Sequence, residues 1–169
     1  MTAYYRRKVN RKKFKNRLFF LLLFLLLAFN IDVLGRAFYP FPYRELTTRY
    51  ASANGVDRFL LAAVMKAESG FDKMAVSSRG ARGLMQIMPE TGYWIAGQTG
   101  YRNFDPEQLF DPETSIRMGS WYMAELLHEF SGDPVLALAA YNGGRGNVRN
   151  WLSGGMPGGD ADKIPFPET

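Results

Sequence analysis

The sequence predicts an all-α domain behind a single N-terminal hydrophobic helix, and three observations carry that prediction. Apolar residues recur at helical spacing, as in Leu61, Val64 and Met65, and again in Ile116, Met123, Leu126 and Phe130. Asp-Pro pairs at 111–112 and 133–134 put a capping oxygen and a ring with fixed φ where helices begin. No segment reads as an alternating strand pair, and no internal repeat appears. A chain of 169 residues suits one domain of ordinary size with a short appendage, and a hydrophobic content of 47% is enough for a packed core.

The appendage comes first. Arg6, Arg7, Lys8, Arg11, Lys12, Lys13, Lys15 and Arg17 crowd residues 1–17, a basic cytoplasmic n-region. The apolar run LFFLLLFLLLAF follows at 18–29, and extension to residue 35 reaches roughly the 20 residues a membrane span needs. Gly35 and Ala37 fit a cleavage site poorly, so 18–35 is read as an uncleaved signal-anchor. The basic flank keeps the N-terminus inside and the domain outside the cell membrane, or secreted if the signal is cut. Residues 36–42, RAFYPFP, form a stiff proline-punctuated linker. The domain is expected over 43–169.

From Tyr43 a helix is expected with Leu46, Tyr50 and Ala53 on its packed face, ended by Asn54-Gly55. Asp57 caps the next helix, which Gly70 ends. Pro89 opens a short helix carrying Tyr93, Trp94 and Ile95, closed near Gly97 to Gly100. Residues 101–111 read as loop, anchored by Phe104, Leu109 and Phe110. Asp111-Pro112-Glu113 starts a helix of about five turns, in which Gly119 marks a close helix crossing. Asp133-Pro134 opens another through Tyr141. A last short helix spans 147–152, stopped by Ser153-Gly154-Gly155.

Chemistry concentrates between Leu60 and Pro89. Leu61, Val64, Met65 and Glu68 fall at i, i+3, i+4 and i+7, so a carboxyl ends an apolar stripe. Burial and the negative pole of the helix both disfavour its charged form and raise its pKa. A carboxyl held protonated near neutral pH suits donation to a poor leaving group. The plainer alternative is a Glu reaching solvent at a frayed end. The small residues Ser77, Ser78, Gly80, Ala81 and Gly83 then let backbone approach a ligand. Gln86, one amide among Leu84, Met85, Ile87 and Met88, either serves packing or meets a polyhydroxyl ligand.

Three ordered motifs, Glu68-Ser69-Gly70-Phe71, Gly83-Leu84-Met85-Gln86 with Met88-Pro89, and Ala140-Tyr141-Asn142, resemble the catalytic domain of the soluble lytic transglycosylases, glycoside hydrolase family 23. The resemblance covers about residues 43 to 168. It implies a lysozyme-like fold and peptidoglycan glycan strands as substrate, cleaved between N-acetylmuramic acid and N-acetylglucosamine. It implies Glu68 as general acid and then base, with the substrate's acetamido group assisting and a 1,6-anhydromuramyl end as product. It also implies that Ser77, Gln86, Met88, Tyr141 and Asn142 line the glycan cleft. Gly143 stands where family members more often carry Ala. Residues 164–169, IPFPET, look like the approach to a final helix that in the family bears another cleft tyrosine, a helix this sequence does not include.

Composition excludes several classes. Without cysteine there is no disulfide, thiol nucleophile or lipoprotein anchor, and one histidine, His128, makes no multi-histidine metal site. No metal or cofactor is expected. The net charge of +5 belongs to the leader, and the rest is slightly acidic, which argues against a nucleic-acid partner. Asp72, Glu90, Asp105 and Asp111 are the nearby second acids that a two-carboxylate glycosidase would need, and none shares the apolar setting of Glu68. Two alternatives remain: a lysozyme-type hydrolase on the same fold, and a membrane-anchored peptidoglycan-binding module without turnover.

Overall fold

Helix starts in this chain are set by aspartates whose side-chain oxygens take up otherwise unpaired backbone N–H groups. Asp57 accepts from the N–H groups of Phe59 and Leu60, Asp111 from that of Thr114, and Asp133 from those of Val135 and Leu136. The protein is described by a computed structural model over residues 15–22, 24–26, 29 and 41–155. The helices of its second unit are α1 (Arg44–Asn54), α2 (Arg58–Ser69), α3 (Pro89–Thr99), α4 (Pro112–Glu129), α5 (Pro134–Gly143) and α6 (Arg145–Ser153). Among the described residues there is no strand, only isolated antiparallel bridges of Arg82 to Val76 and Ile87.

The chain divides into two compact units, Met1–Pro42 and Tyr43–Thr169. In the first, residues 15–22, 24–26 and 29 are helical with exposed side chains. No helix among the described residues is long and apolar enough to cross a membrane. The rest of the anchor expected at 18–35 and most of the linker lie outside the described residues, as does the segment 164–169.

In the second unit α4 is the central helix. It packs against α1, α3 and α5, while α2 rests on α1 and α6 on α5. Leu61 and Met65 of α2, Ile95 of α3, Ile116, Met118, Met123 and Leu126 of α4, and Val148 of α6 are fully buried with Leu84, Met85 and Leu109 from the connections. Each such side chain contributes on the order of 1.5–3 kcal/mol through burial.

Four local features differ from the sequence expectation. The stretch 101–111 is not all loop: Pro106–Phe110 forms a 3-10 helix, with Asp105 accepting from Glu107 N–H and Gln108 reaching back to Asp105 N–H. Ala53 is exposed, and α1 instead buries Thr47 and Ala51, the Thr47 hydroxyl donating to the Tyr43 carbonyl. The close neighbour of Gly119 is a side chain rather than a helix. A Cβ there would lie 2.7 Å from Met85 side-chain carbons. The last helix begins two residues earlier than expected, at Arg145. His128 is exposed in the final turn of α4.

Candidate active site

The segment between α2 and α3 has almost no regular structure, yet four side chains fix its course. At the end of α2, Ser69 Oγ donates to the Leu84 carbonyl at 2.9 Å and accepts from Phe71 N–H at 3.2 Å. From α4, Ser115 Oγ accepts from Met85 N–H at 3.2 Å. From α5, the Tyr141 hydroxyl donates to the Met85 carbonyl at 2.6 Å. Gln86 Nε2 donates to the carbonyls of Ala75 and Gly83, tying two interior turns of the segment together. Gly83 is required here: its φ is +73°, and a Cβ would fall 1.9 Å from the Leu109 carbonyl oxygen.

The pinned segment, α2 and α5 enclose a cleft of about 460 Å³. Its lining brings together Glu68, Ser77, Gln86, Met88, Tyr141 and Asn142, with Arg79, Thr91, Tyr122, Gly143 and Gly144 among the other wall residues. Glu68 is the carboxylate in that lining. It lies in the last turn of α2, which stops because Gly70 takes φ +60° and returns its N–H to the Lys66 and Met65 carbonyls. The side chain is half-buried, and burial raises its pKa above the ordinary 4.5. Asp72, Glu90, Asp105 and Asp111 do not line the cleft, and Asp105 and Asp111 serve as helix caps.

The other positions differ in how much of each side chain is committed to structure. Tyr141 is held well above its usual phenol range, first by burial and then by the Glu68 carboxylate and Tyr122. It therefore stays neutral, with its proton on the Met85 carbonyl and its oxygen as an acceptor. Ser77 Oγ accepts from Ala81 N–H at 3.0 Å and closes a small turn, which leaves the hydroxyl proton as what it can offer a ligand. Gln86, with both structural bonds through nitrogen, faces the cleft with φ +45° and an amide oxygen to offer. Met88 sits half-exposed at the start of α3, and Asn142 is exposed near the end of α5. Tyr122 escaped sequence reasoning because on α4 it reads as one aromatic among packing residues. Its ring lies 5.5 Å from that of Tyr141.

The Transglycosylase SLT domain matches residues 45–161, most of the chain. The chain belongs to this family. The SLT domain here is 35% identical over 136 residues to the soluble lytic murein transglycosylase of Salmonella typhimurium, an alignment covering 78% of this chain and 21% of that protein. It is 34% identical over 122 residues to the membrane-bound lytic murein transglycosylase C of Edwardsiella ictaluri, covering 63% of this chain and 32% of the relative. It also resembles the structure of an inactive mutant of lytic transglycosylase Slt from Pseudomonas aeruginosa, with a TM-score of 0.71 and 34% identity over 78% of this chain and 22% of that one. The chain thus spans about a fifth of the length of the soluble relatives it matches. The fold is the all-α, lysozyme-like one of these transglycosylases.

Proposed function

We propose that this SLT domain is a peptidoglycan lytic transglycosylase that cleaves the β-1,4 bond between N-acetylmuramic acid and N-acetylglucosamine. The observation that carries the reading is a raised-pKa carboxyl, Glu68, in a cleft whose described lining holds no second carboxylate. With one carboxyl, that group must both give and take the proton. Glu68 donates to the bridging oxygen as the bond from the anomeric carbon breaks. The substrate's acetamido oxygen bonds to that carbon in its place. The C6 hydroxyl of the same sugar then displaces it, giving its proton to the Glu68 carboxylate. A 1,6-anhydro end forms, no water is added, and Glu68 returns protonated.

In this scheme the neutral Tyr141 oxygen faces the positive charge that develops at the ring. Ser77, Gln86 and Asn142 hold polar groups of the glycan, and Met88 gives it an apolar contact. We further infer that residues 1–17 stay cytoplasmic, that 18–35 anchor the chain, and that 36–42 link the anchor to an extracytoplasmic catalytic domain over 43–169. The apolar run after a basic leader and the membrane-bound relative support this arrangement. Fractionation with mass spectrometry decides it: a mature N-terminus near residue 38 in the soluble extracytoplasmic fraction would remove the anchor.

The catalytic reading is tested by incubating the full chain, in mild detergent, with purified peptidoglycan and comparing Glu68→Gln. The wild type should release muropeptides lighter by one water than hydrolysis products. The variant, with unchanged shape, should lose at least about 10²–10⁴-fold in rate. Products of hydrolysed mass would establish a lysozyme-type hydrolase instead. Binding without products by folded wild type would establish a wall-binding module.

A further inference from the structure

A pocket of about 370 Å³ lies among α1, α3 and α4, and it shares no lining residue with the glycan cleft. Its lining combines buried Ile95 and Met118 with the partly buried rings of Tyr50, Tyr101 and Trp121. The Arg117 guanidinium carbon lies 4.2 Å from the centre of the Tyr101 ring. Among the described residues no oxygen accepts a hydrogen bond from that guanidinium, and no carboxylate pairs with it. Glu113, one turn earlier on α4, is engaged elsewhere. Its Oε1 accepts from the Tyr50 hydroxyl at 2.7 Å and from Arg49 Nη1 at 3.2 Å. Neither Glu113 nor any other acid lines the pocket, so the charge of Arg117 is not offset there.

Stacking on Tyr101 fixes the plane of the Arg117 fork and leaves its edge N–H groups free, an arrangement that a carboxylate matches with two parallel bonds. The Trp121 indole N–H is a second donor without an acceptor among the described residues. Asn54 uses Nδ2 on the Tyr50 carbonyl at 3.0 Å and on Ser120 Oγ at 2.9 Å, which leaves Oδ1 to accept. The pocket thus offers two donors for an anion, one acceptor for an N–H, and apolar and aromatic surface. The free C-terminal end of a polypeptide carries all three complements together: a carboxylate, the last amide N–H and a side chain.

We propose that this pocket receives the C-terminal carboxylate of a partner protein whose last side chain is aromatic. Arg117 and Trp121 hold the carboxylate, and Asn54 Oδ1 takes the last amide N–H. Tyr50, Tyr101, Ile95 and Met118 receive the side chain. The volume lies near the lower end of the roughly 300–1,000 Å³ of ligand pockets, which suits one residue with the rest of the partner outside. Because cleft and pocket share no lining residue, docking leaves Glu68 accessible. The inference is independent of the catalytic reading.

The test is NMR titration of the full-length wild-type chain in mild detergent, observing isotope-labelled tryptophan indole N–H signals. Four probes are compared: acetylated glycyl-phenylalanine with a free carboxylate, its C-terminal amide, acetylated diglycine with a free carboxylate, and phenylpropionate. The first should bind about tenfold more tightly than each of the others, the scale of one charge-assisted hydrogen bond. It should shift the Trp121 signal and leave that of Trp151, which does not line the pocket, in place. Arg117→Gln should bring the acid down to the amide's affinity and leave the amide unchanged. Equal affinity of acid and amide for the wild type overturns the proposal, and that comparison needs no variant to fold. Binding that leaves the Trp121 signal unmoved overturns it as well, since the peptide then sits elsewhere. Diglycine acid binding as tightly as the aromatic acid overturns the aromatic last residue, and phenylpropionate doing so overturns the protein partner. An Arg117→Gln variant that weakens acid and amide alike marks Arg117 as structural and overturns its role.

Discussion

The Tyr141 hydroxyl donates to the Met85 carbonyl at 2.6 Å, joining the end of α5 to a connection that is 56 residues away in sequence. The same phenol lies close enough to Glu68 that the carboxylate's charge contributes to its raised pKa. One side chain thus braces the cleft wall and faces its acid. Tyr141→Phe should leave the buried Met85 carbonyl without that donor, at a cost of about 1–3 kcal/mol. Calorimetry should show a melting temperature lower by roughly 2–4 °C per kcal/mol. Glycan cleavage should fall as well, and an unchanged melting point would mean the bond contributes nothing.

The raised pKa of Glu68 gives a pH dependence of definite sign. Its folded pKa lies above the unfolded one because burial penalises the charge. The native state therefore binds more protons in the window above the ordinary 4.5. The stabilisation from protonated Glu68 is complete below that value and is lost as pH rises through the folded pKa. Glu68→Gln carries no such titration. Its urea midpoint relative to wild type should climb between acidic and alkaline pH, and wild-type glycan cleavage should decline over the same range. A difference that stays flat with pH would remove the case for Glu68 as an acid.

Gly83→Ala and Gly80→Ala form a paired test of the cleft segment. Both glycines have positive φ, +73° and +89°, so each substitution carries backbone strain of about 1–3 kcal/mol. Only at Gly83 does the new Cβ meet an obstacle, the Leu109 carbonyl oxygen 1.9 Å away, whereas Gly80 has open space. Denaturant midpoints should show Gly83→Ala as the far more damaging change, with a loss above about 4 kcal/mol.

Asp57→Ala separates helix stability from chemistry. Phe59 and Leu60 would lose their acceptor, costing about 1 kcal/mol. Asp57 is absent from the cleft lining, so the pH profile of cleavage should keep its shape while the urea midpoint falls. A shifted profile would show that the start of α2 sets the environment of Glu68 at its end.

Helix boundaries were legible wherever a short-range bond sets them. Asp57, Asp111 and Asp133 cap in the structure, and Pro89 and Gly100 bound α3. What escaped the sequence depends on contacts between distant residues. Thr47 is buried because its hydroxyl returns to the Tyr43 carbonyl, an economy that hydropathy does not register. The 3-10 helix at Pro106–Phe110 is too short for periodicity to reveal, although the Asp105 and Gln108 pairing that caps it stood in the sequence. In the cleft, Glu68 could be read from its place on an apolar stripe. Tyr122, Thr91 and Arg79 could not, since nothing local marks which side of α4, α3 or the connection will face the same space. Gln86 had two readings open, and both of its structural bonds run to backbone that only the folded turn brings near.

The seating of Met85 against Gly119 has a bearing on oxidative damage. Met85 is wholly enclosed, and oxygenating its sulfur would force a polar, bulkier sulfoxide into a space that already excludes a methyl group from Gly119. The enclosure is also its protection, because an oxidant reaches that sulfur only when the domain opens. Among the described methionines, Met74, 58% exposed, and the half-exposed Met88 would be consumed first. Oxidation would thus alter the cleft wall at Met88 before it reached the scaffold that holds Glu68, and a reductase acting on exposed sulfoxides would suffice to restore it.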